Sequence, residues 1–210
     1  MKVLALTLGF DEKFAIRALL RAGLSFGDKA LIFLAEPLDE RAVKAWKVVE
    51  DIISRYFSGV TIEAIKVNVA DFYGSVRKIS EKLKAEVNEG SQLIINLSGG
   101  MRALILEVLI AAHMLRLKGE VEVEFENFMG LTRFPLEILR LELEEKDRLI
   151  LRFIKSRGQV SIAVVTKELG LSKSAAHRRI WKLARNKLVK VKKRGKTSIC
   201  EVTELAKMFI

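Results

Sequence analysis

From Lys2 to Phe125, short apolar runs alternate with longer segments in which apolar residues recur every three or four positions. The first pattern is that of a strand buried on both sides; the second is that of a helix with one buried face. The spacing predicts strands over Lys2–Leu8, Lys29–Ala35, Val60–Val69 and Ser91–Leu97, and a last one over Val121–Phe125. Helices are expected over Asp11–Gly23, Leu38–Phe57, Asp71–Val87 and Gly99–Leu117. Asp11 and Asp71 stand where N-caps would, and Gly23 where a left-handed stop would. Val121–Phe125 alternates Val with Glu, as a strand with one wet face would.

Strand–helix repetition with fully apolar strands means a parallel sheet covered on both faces, in the α/β class. Right-handed crossovers give the strand order 3-2-1-4-5. The order reverses between strands 1 and 4, so a ligand crevice is expected at their carboxyl ends.

The pattern changes after Phe125. Thr132–Leu143 is extended, with Pro135 near its start, and reads as a linker or an edge strand. Lys146–Arg157 is a helix stopped by Gly158. Ser161 caps a short helix to Leu169, Gly170-Leu171-Ser172 makes a tight turn, and Ser172 caps Lys173–Asn186. Lys187 occupies a position where a helix-ending Gly is common, so Asn186 is expected to turn left-handed. Leu188–Lys193 and Thr197–Thr203 pair around Arg194-Gly195, and Glu204–Phe209 closes as a short helix. This order is that of a winged helix–turn–helix. The chain divides into a Rossmann-like domain over 1–128, a linker or edge strand over 129–143, and a winged helix over 144–210.

Charge sharpens that division. The 210 residues carry 37 Lys+Arg against 26 Asp+Glu, a net of +11. From Glu145 onward, 18 basic residues oppose 5 acidic ones, for +13; the preceding residues hold 19 and 21, for −2. The basic half is expected to meet a polyanion such as double-stranded DNA. On its third helix, Ala176, Ile180 and Leu183 share an inward face. Lys173, Ser174, His177, Arg178 and Lys182 remain to reach base edges and phosphates. The hairpin carries Lys190, Lys192, Lys193, Arg194 and Lys196; of these, Lys193, Arg194 and Lys196 are assigned to DNA. Trp181 fits either under the wing or in the core.

A hydrophobic fraction of 50% excludes a disordered chain. The single Cys200 excludes an internal disulfide and a cysteine-only zinc site. The apolar stretch Leu93–Leu117 is interrupted by Arg102, Glu107 and His113, so it does not span a membrane. His113 is expected to be a satisfied core residue. Met1–Leu8 reads as a strand and not as a leader, so a cytoplasmic location is expected.

The two ends that flank the crevice carry the candidate chemistry. Thr7-Leu8-Gly9-Phe10-Asp11 follows the first strand, and Asn96-Leu97-Ser98-Gly99-Gly100-Met101-Arg102 follows the fourth. Adjacent glycines let a backbone approach a ligand, and helix-start N–H groups attract anionic oxygens. Ser98 adds a hydroxyl and Arg102 a fixed charge. The candidate ligand residues are Leu8, Gly9, Phe10, Asp11, Asn96, Ser98, Gly99, Gly100, Met101 and Arg102. The same glycine pair would also serve a plain tight turn, with Arg102 in solvent. No Gly-x-x-x-x-Gly-Lys-Ser/Thr and no Gly-x-Gly-x-x-Gly occurs. Glu36 follows the second strand, where a ribose-binding acid would stand, which keeps NAD as a minor alternative. No metal site, bound cofactor or catalytic residue is assigned.

The Gly9-Phe10-Asp11 segment and, more specifically, the Ser98-Gly99-Gly100-Met101-Arg102 turn resemble the motifs of CRISPR-associated Rossmann-fold (CARF) domains. Joined to a carboxyl-terminal winged helix, they resemble the archaeal CRISPR-associated transcription regulators of that family. The resemblance implies homodimers that join two crevices into one pocket for a cyclic oligoadenylate, most often cyclic tetra-adenylate. It implies regulation of CRISPR-cas promoters. Phe10 and Met101 are then candidate walls for adenine. Some CARF proteins cleave their ligand without metal; Ser98 and Arg102 would assist such cleavage, but the motif contains no strong general base. Three readings follow: a ligand-gated transcription factor, a ring nuclease, and an NAD-sensing redox regulator.

Overall fold

The central strand, β1 (Lys2–Leu8), sets the architecture of the amino-terminal half, because its side chains alternate between two separate cores. Leu4, Leu6 and Leu8 face one side, where α1 (Lys13–Ala22) and α2 (Glu40–Tyr56) bring Leu19, Val49 and Ile53. Val3 and Ala5 face the other, where α3 (Phe72–Glu86) and α4 (Arg102–Met114) bring Ile79, Leu83, Leu104 and Val108. Burial on both faces is why these strands read as unbroken apolar runs. The computed structural model describes residues 1–195 and 197–210, which divide into Met1–Arg140 and Leu141–Ile210.

The sheet of the first unit adds β2 (Lys29–Glu36), β3 (Thr61–Asn68), β4 (Gln92–Asn96), β5 (Glu120–Glu124) and β6 (Leu131–Pro135). Its order is β3-β2-β1-β4-β5-β6. The first five strands are parallel in the expected order; β6 joins β5 antiparallel at the edge and runs into a 3-10 helix over Leu136–Arg140. Asp39 and Asp71 cap α2 and α3, accepting the N–H groups of Arg41 at 2.8 Å and Gly74 at 3.0 Å. Gly23 ends α1 at φ +55°. Asp11 is not the N-cap of α1: Glu12 takes that position, and Asp11 Oδ1 accepts the Lys13 N–H at 2.9 Å. The fourth helix starts at Arg102, so Gly99 and Gly100 lie in the turn before it and not within it.

Two further expectations fail on burial. The Glu face of β5 is dry. Glu122 and Glu124 are 3% exposed, because Arg17 and Arg21 of α1 and Arg133 of β6 close over them. His113 is only half-buried, and its Nδ1 has no hydrogen-bond partner among the described residues.

Glu107 of α4 is 1% exposed, and neither carboxylate oxygen has a partner among the described residues. Burial, and then the nearby Asp71 charge, push its carboxyl up from the ordinary value. A raised folded-state value means that its contribution is intact below the unfolded value and is lost as pH rises through the folded one. Glu107→Leu is therefore expected to stabilise the first unit by about 1–3 kcal/mol, more at neutral pH than in acid. Thermal melting at both pH values checks this; an equal gain at both would show that the carboxyl is satisfied.

The second unit contains α5 (Glu145–Arg157), β7 (Gln159–Ser161), α6 (Ile162–Glu168), α7 (Lys173–Arg185), β8 (Val189–Arg194) and β9 (Thr197–Val202), then a 3-10 helix over Leu205–Phe209. The sheet order is β7-β9-β8, so a short third strand joins the expected hairpin. Ile150, Ile154, Val165, Ile180, Leu183 and Cys200 form the core. Burial pushes the Cys200 thiol up to about 11, so it behaves as a small apolar residue. Lys187 takes the left-handed conformation itself, at φ +59°, while Asn186 stays at φ −81°. Trp181 is neither core nor tucked away: it is 41% exposed.

Candidate functional site

The turns after β1 and β4 meet at the point where strand order reverses. Thr7 Oγ1 donates to the Gly99 carbonyl and ties them together. A Cβ at Gly9 would stand 2.7 Å from the Gly100 nitrogen, and one at Gly99 would stand 3.1 Å from the Thr7 carbonyl oxygen. Gly100 has φ +94°. These glycines are thus required by the contact between the turns, in addition to any approach of a ligand. Above the joined turns lies a cavity of about 250 Å³.

The structure brings Gly9, Phe10, Asp11, Ser98, Gly99, Gly100 and Met101 to this cavity and adds Phe14 and Glu126, which the sequence reading missed. Phe14 was masked by its helical spacing, which marks it only as a core residue. Phe10 and Met101 are half-exposed at the rim. Ser98 Oγ accepts the Glu124 N–H at 2.8 Å, which leaves its own hydroxyl hydrogen free to donate. Met101 is the N-cap of α4 and, among the described residues, no side chain caps that helix, so its first-turn N–H groups have no side-chain acceptor there. Arg102 is exposed as the first residue of α4.

Two of the expected ligand residues are placed elsewhere. The Leu8 side chain is buried in the core between the sheet and the α1–α2 layer. Asn96 is 1% exposed; its Oδ1 accepts the Ser98 N–H at 3.2 Å and its Nδ2 faces Glu122 Oε2 at 3.5 Å. Asn96 therefore braces the turn from within the protein. Behind the crevice, Phe14 packs on Phe128 at 4.8 Å between ring centroids, and Arg17 covers Phe128 at 5.5 Å.

In the second unit, Ser172 caps α7 by accepting the Ala175 N–H at 3.3 Å. Lys173, Ser174, His177 and Arg178 are exposed. Trp181 Nε1 donates to His177 Nε2 at 2.8 Å, which gives the aromatic pair a fixed geometry on the helix surface. Lys182 is not on a free outer face. Its Nζ lies 3.0 Å from Asp147 and 3.3 Å from Glu144, and Arg179 binds the same two carboxylates at 2.7 and 2.9 Å. Glu144 and Asp147 thereby clamp the third helix to α5. Burial alone would raise the Asp147 carboxyl, but the hydrogen bonds from Arg179 and Lys182 outweigh it and hold it below the ordinary value.

The wing carries a groove of about 280 Å³ lined by Lys190, Lys192, Lys193 and Arg194 on β8 with Gln159, Ile199 and Glu201. Alternation puts Lys190, Lys192 and Arg194 on one face of β8. Lys190 and Lys192, outside the expected DNA set, share this face, and their period-two spacing with Arg194 is the signal for them. Lys196 lies outside the described residues.

A Rossmann-like sheet with a crevice at its switch point is joined in one chain to a basic winged helix, the architecture of a DNA-binding module attached to an α/β domain. Residues 2–135 match the family model of the Csa3 CRISPR-associated Rossmann-like domain, and residues 143–190 match that of winged helix–turn–helix DNA-binding domains. The chain belongs to the Csa3 CRISPR-associated Rossmann-like family. Similar solved structures include Can2 from Sulfobacillus thermosulfidooxidans in complex with cyclic tetra-adenylate, at 12% identity and TM-score 0.43, covering 93% of this chain and 55% of that one. Protein VC1899 from Vibrio cholerae is 11% identical at TM-score 0.45, covering 99% and 63%. The AntR antimony-specific transcriptional repressor is 11% identical at TM-score 0.31, covering 34% and 66%. This chain thus spans less than two thirds of the length of each of these. No curated protein matches it. Among the described residues, no helix is long and apolar enough to cross a membrane.

Proposed function

We propose that the chain is a ligand-responsive transcription regulator of CRISPR-cas genes whose crevice binds a cyclic oligoadenylate, with cyclic tetra-adenylate as the first choice. The observation that carries this reading is the uncapped start of α4 beside Gly99-Gly100, in the same chain as a basic winged helix. Open first-turn N–H groups and the helix dipole favour a phosphate at that point, and the Ser98 hydroxyl is placed to add a hydrogen bond. A cavity of about 250 Å³ falls below the roughly 300–1,000 Å³ of a site that encloses a drug-sized ligand. One crevice therefore suits one part of a cyclic tetranucleotide, and two crevices of a twofold homodimer suit the ring. The winged helices of such a dimer would read a palindromic operator.

Calorimetric titration with synthetic cyclic tetra-adenylate tests the reading; one ring per two chains is the expected stoichiometry. Arg102→Ala should weaken binding by about 1.5–3 kcal/mol, the value of a hydrogen bond to a charged group, and leave DNA affinity intact. Unchanged ligand affinity in this variant would reduce the turn to a structural role.

A further inference from the structure

Among the described residues, the crevice is lined by two carboxylates, Asp11 and Glu126, and by no basic side chain. A polyanion held at the start of α4 needs compensating charge from just outside that lining. One such charge is built into the first turn of α2, which follows β2 at the same carboxyl end of the sheet. Asp39 Oδ1 accepts both the Arg41 backbone N–H, at 2.8 Å, and Arg41 Nε, at 3.2 Å. The Arg41 guanidinium carbon lies 4.0 Å from the centroid of the Phe10 ring, and Phe10 itself lines the crevice. The guanidinium is thus held at two points although the side chain is 66% exposed. Its hydrogen bonds among the described residues use only Nε and the backbone N–H.

We infer that Arg41 is a second anion contact of the crevice, positioned by Phe10 and Asp39 to bind a ligand phosphate through its two Nη groups. The inference rests on the proposed reading of the crevice as a nucleotide-phosphate site. Arginine suits this position for a physical reason. A planar guanidinium lies against an aromatic ring and still presents a fork of donors to phosphate, whereas an ammonium presents a single point charge. Asp39 occupies Nε and so turns the Nη edge away from itself.

The test titrates synthetic cyclic tetra-adenylate into the full chain carrying Arg41→Ala, Arg41→Lys or Arg41→Glu, beside the wild type and Arg102→Ala. Arg41→Ala should weaken binding roughly 10- to 100-fold, as the loss of a charge-assisted hydrogen bond does. Arg41→Glu should weaken it further, and Arg41→Lys should recover part of the loss. The affinity of Arg41→Ala should also depend less on salt. Its melting temperature should stay close to that of the wild type, because the Asp39 cap bonds the backbone of residue 41. If Arg41→Ala and Arg41→Glu bind like the wild type while Arg102→Ala is weakened, the crevice reading stands and the role of Arg41 is overturned. If the wild type does not bind the ring, both fall.

Discussion

Replacing Asp147 with Ala should cost the winged-helix unit about 3–5 kcal/mol, the usual result of removing one partner from a buried ion pair. Asp147 is fully buried on α5 and accepts from Arg179 at 2.7 Å and Lys182 at 3.0 Å. With the carboxylate gone, Arg179, whose side chain is 16% exposed, keeps its charge and loses its innermost partner. Glu144 remains, but it is 61% exposed and water-screened, so it offsets little. Urea unfolding of the full chain in a Trp46→Phe background, followed by Trp181 fluorescence, would isolate this unit. The pH dependence gives a second handle. Asp147 is held below its ordinary value, so its contribution is present above the unfolded value and is lost as pH falls through the folded one. Wild type and variant should therefore converge in acid. A loss that persists unchanged in acid would mean that packing, and not charge, fastens α7 to α5.

DNA binding should divide between the wing and the third helix. Replacing Lys190, Lys192 and Arg194 together with Ala is expected to weaken all duplexes alike. It should flatten the slope of log K against log salt by about 2.7, since each phosphate contact contributes near 0.9. The three side chains occupy one exposed face of β8 and line the wing groove, a placement that favours backbone contacts over base contacts. Arg178→Ala should instead narrow the gap between operator and random DNA by about 1–3 kcal/mol, the value of a bidentate base contact. Arg178 is exposed on α7 and is not part of the clamp that holds Arg179 and Lys182. Titrations of both variants on both kinds of DNA, at several salt concentrations, separate the roles. If the wing variant loses only specific binding, or Arg178→Ala lowers both affinities equally, the assignment is reversed.

Much of this molecule is legible along the chain because its strongest signals are local. Apolar runs and helical spacing report the burial of one element at a time, and capping residues act within a few positions of themselves. Hence the five parallel strands, their order, the caps at Asp71, Ser161 and Ser172, and the inward face of α7 at Ala176, Ile180 and Leu183 all follow from sequence. The meeting of Gly9 with the Ser98–Met101 turn follows as well, since strand order alone brings those two ends together.

Tertiary structure decided what each polar residue faces. Alternating Glu residues on β5 look wet from sequence, yet Arg17 and Arg21, more than a hundred positions away, make that face a buried ionic layer. Asn96 looks like a ligand residue and is spent on bracing Ser98 and β5. Lys182 looks free and is bound to α5, while Lys190 and Lys192 look incidental and share a face with Arg194. Arg41 stands thirty-one positions from Phe10 and meets it only because α2 starts at the same end of the sheet. Hydrophobic periodicity specifies which side of an element is buried. A charge is stabilised or left exposed by partners that only the packed chain brings within a few ångströms, and no local pattern encodes them.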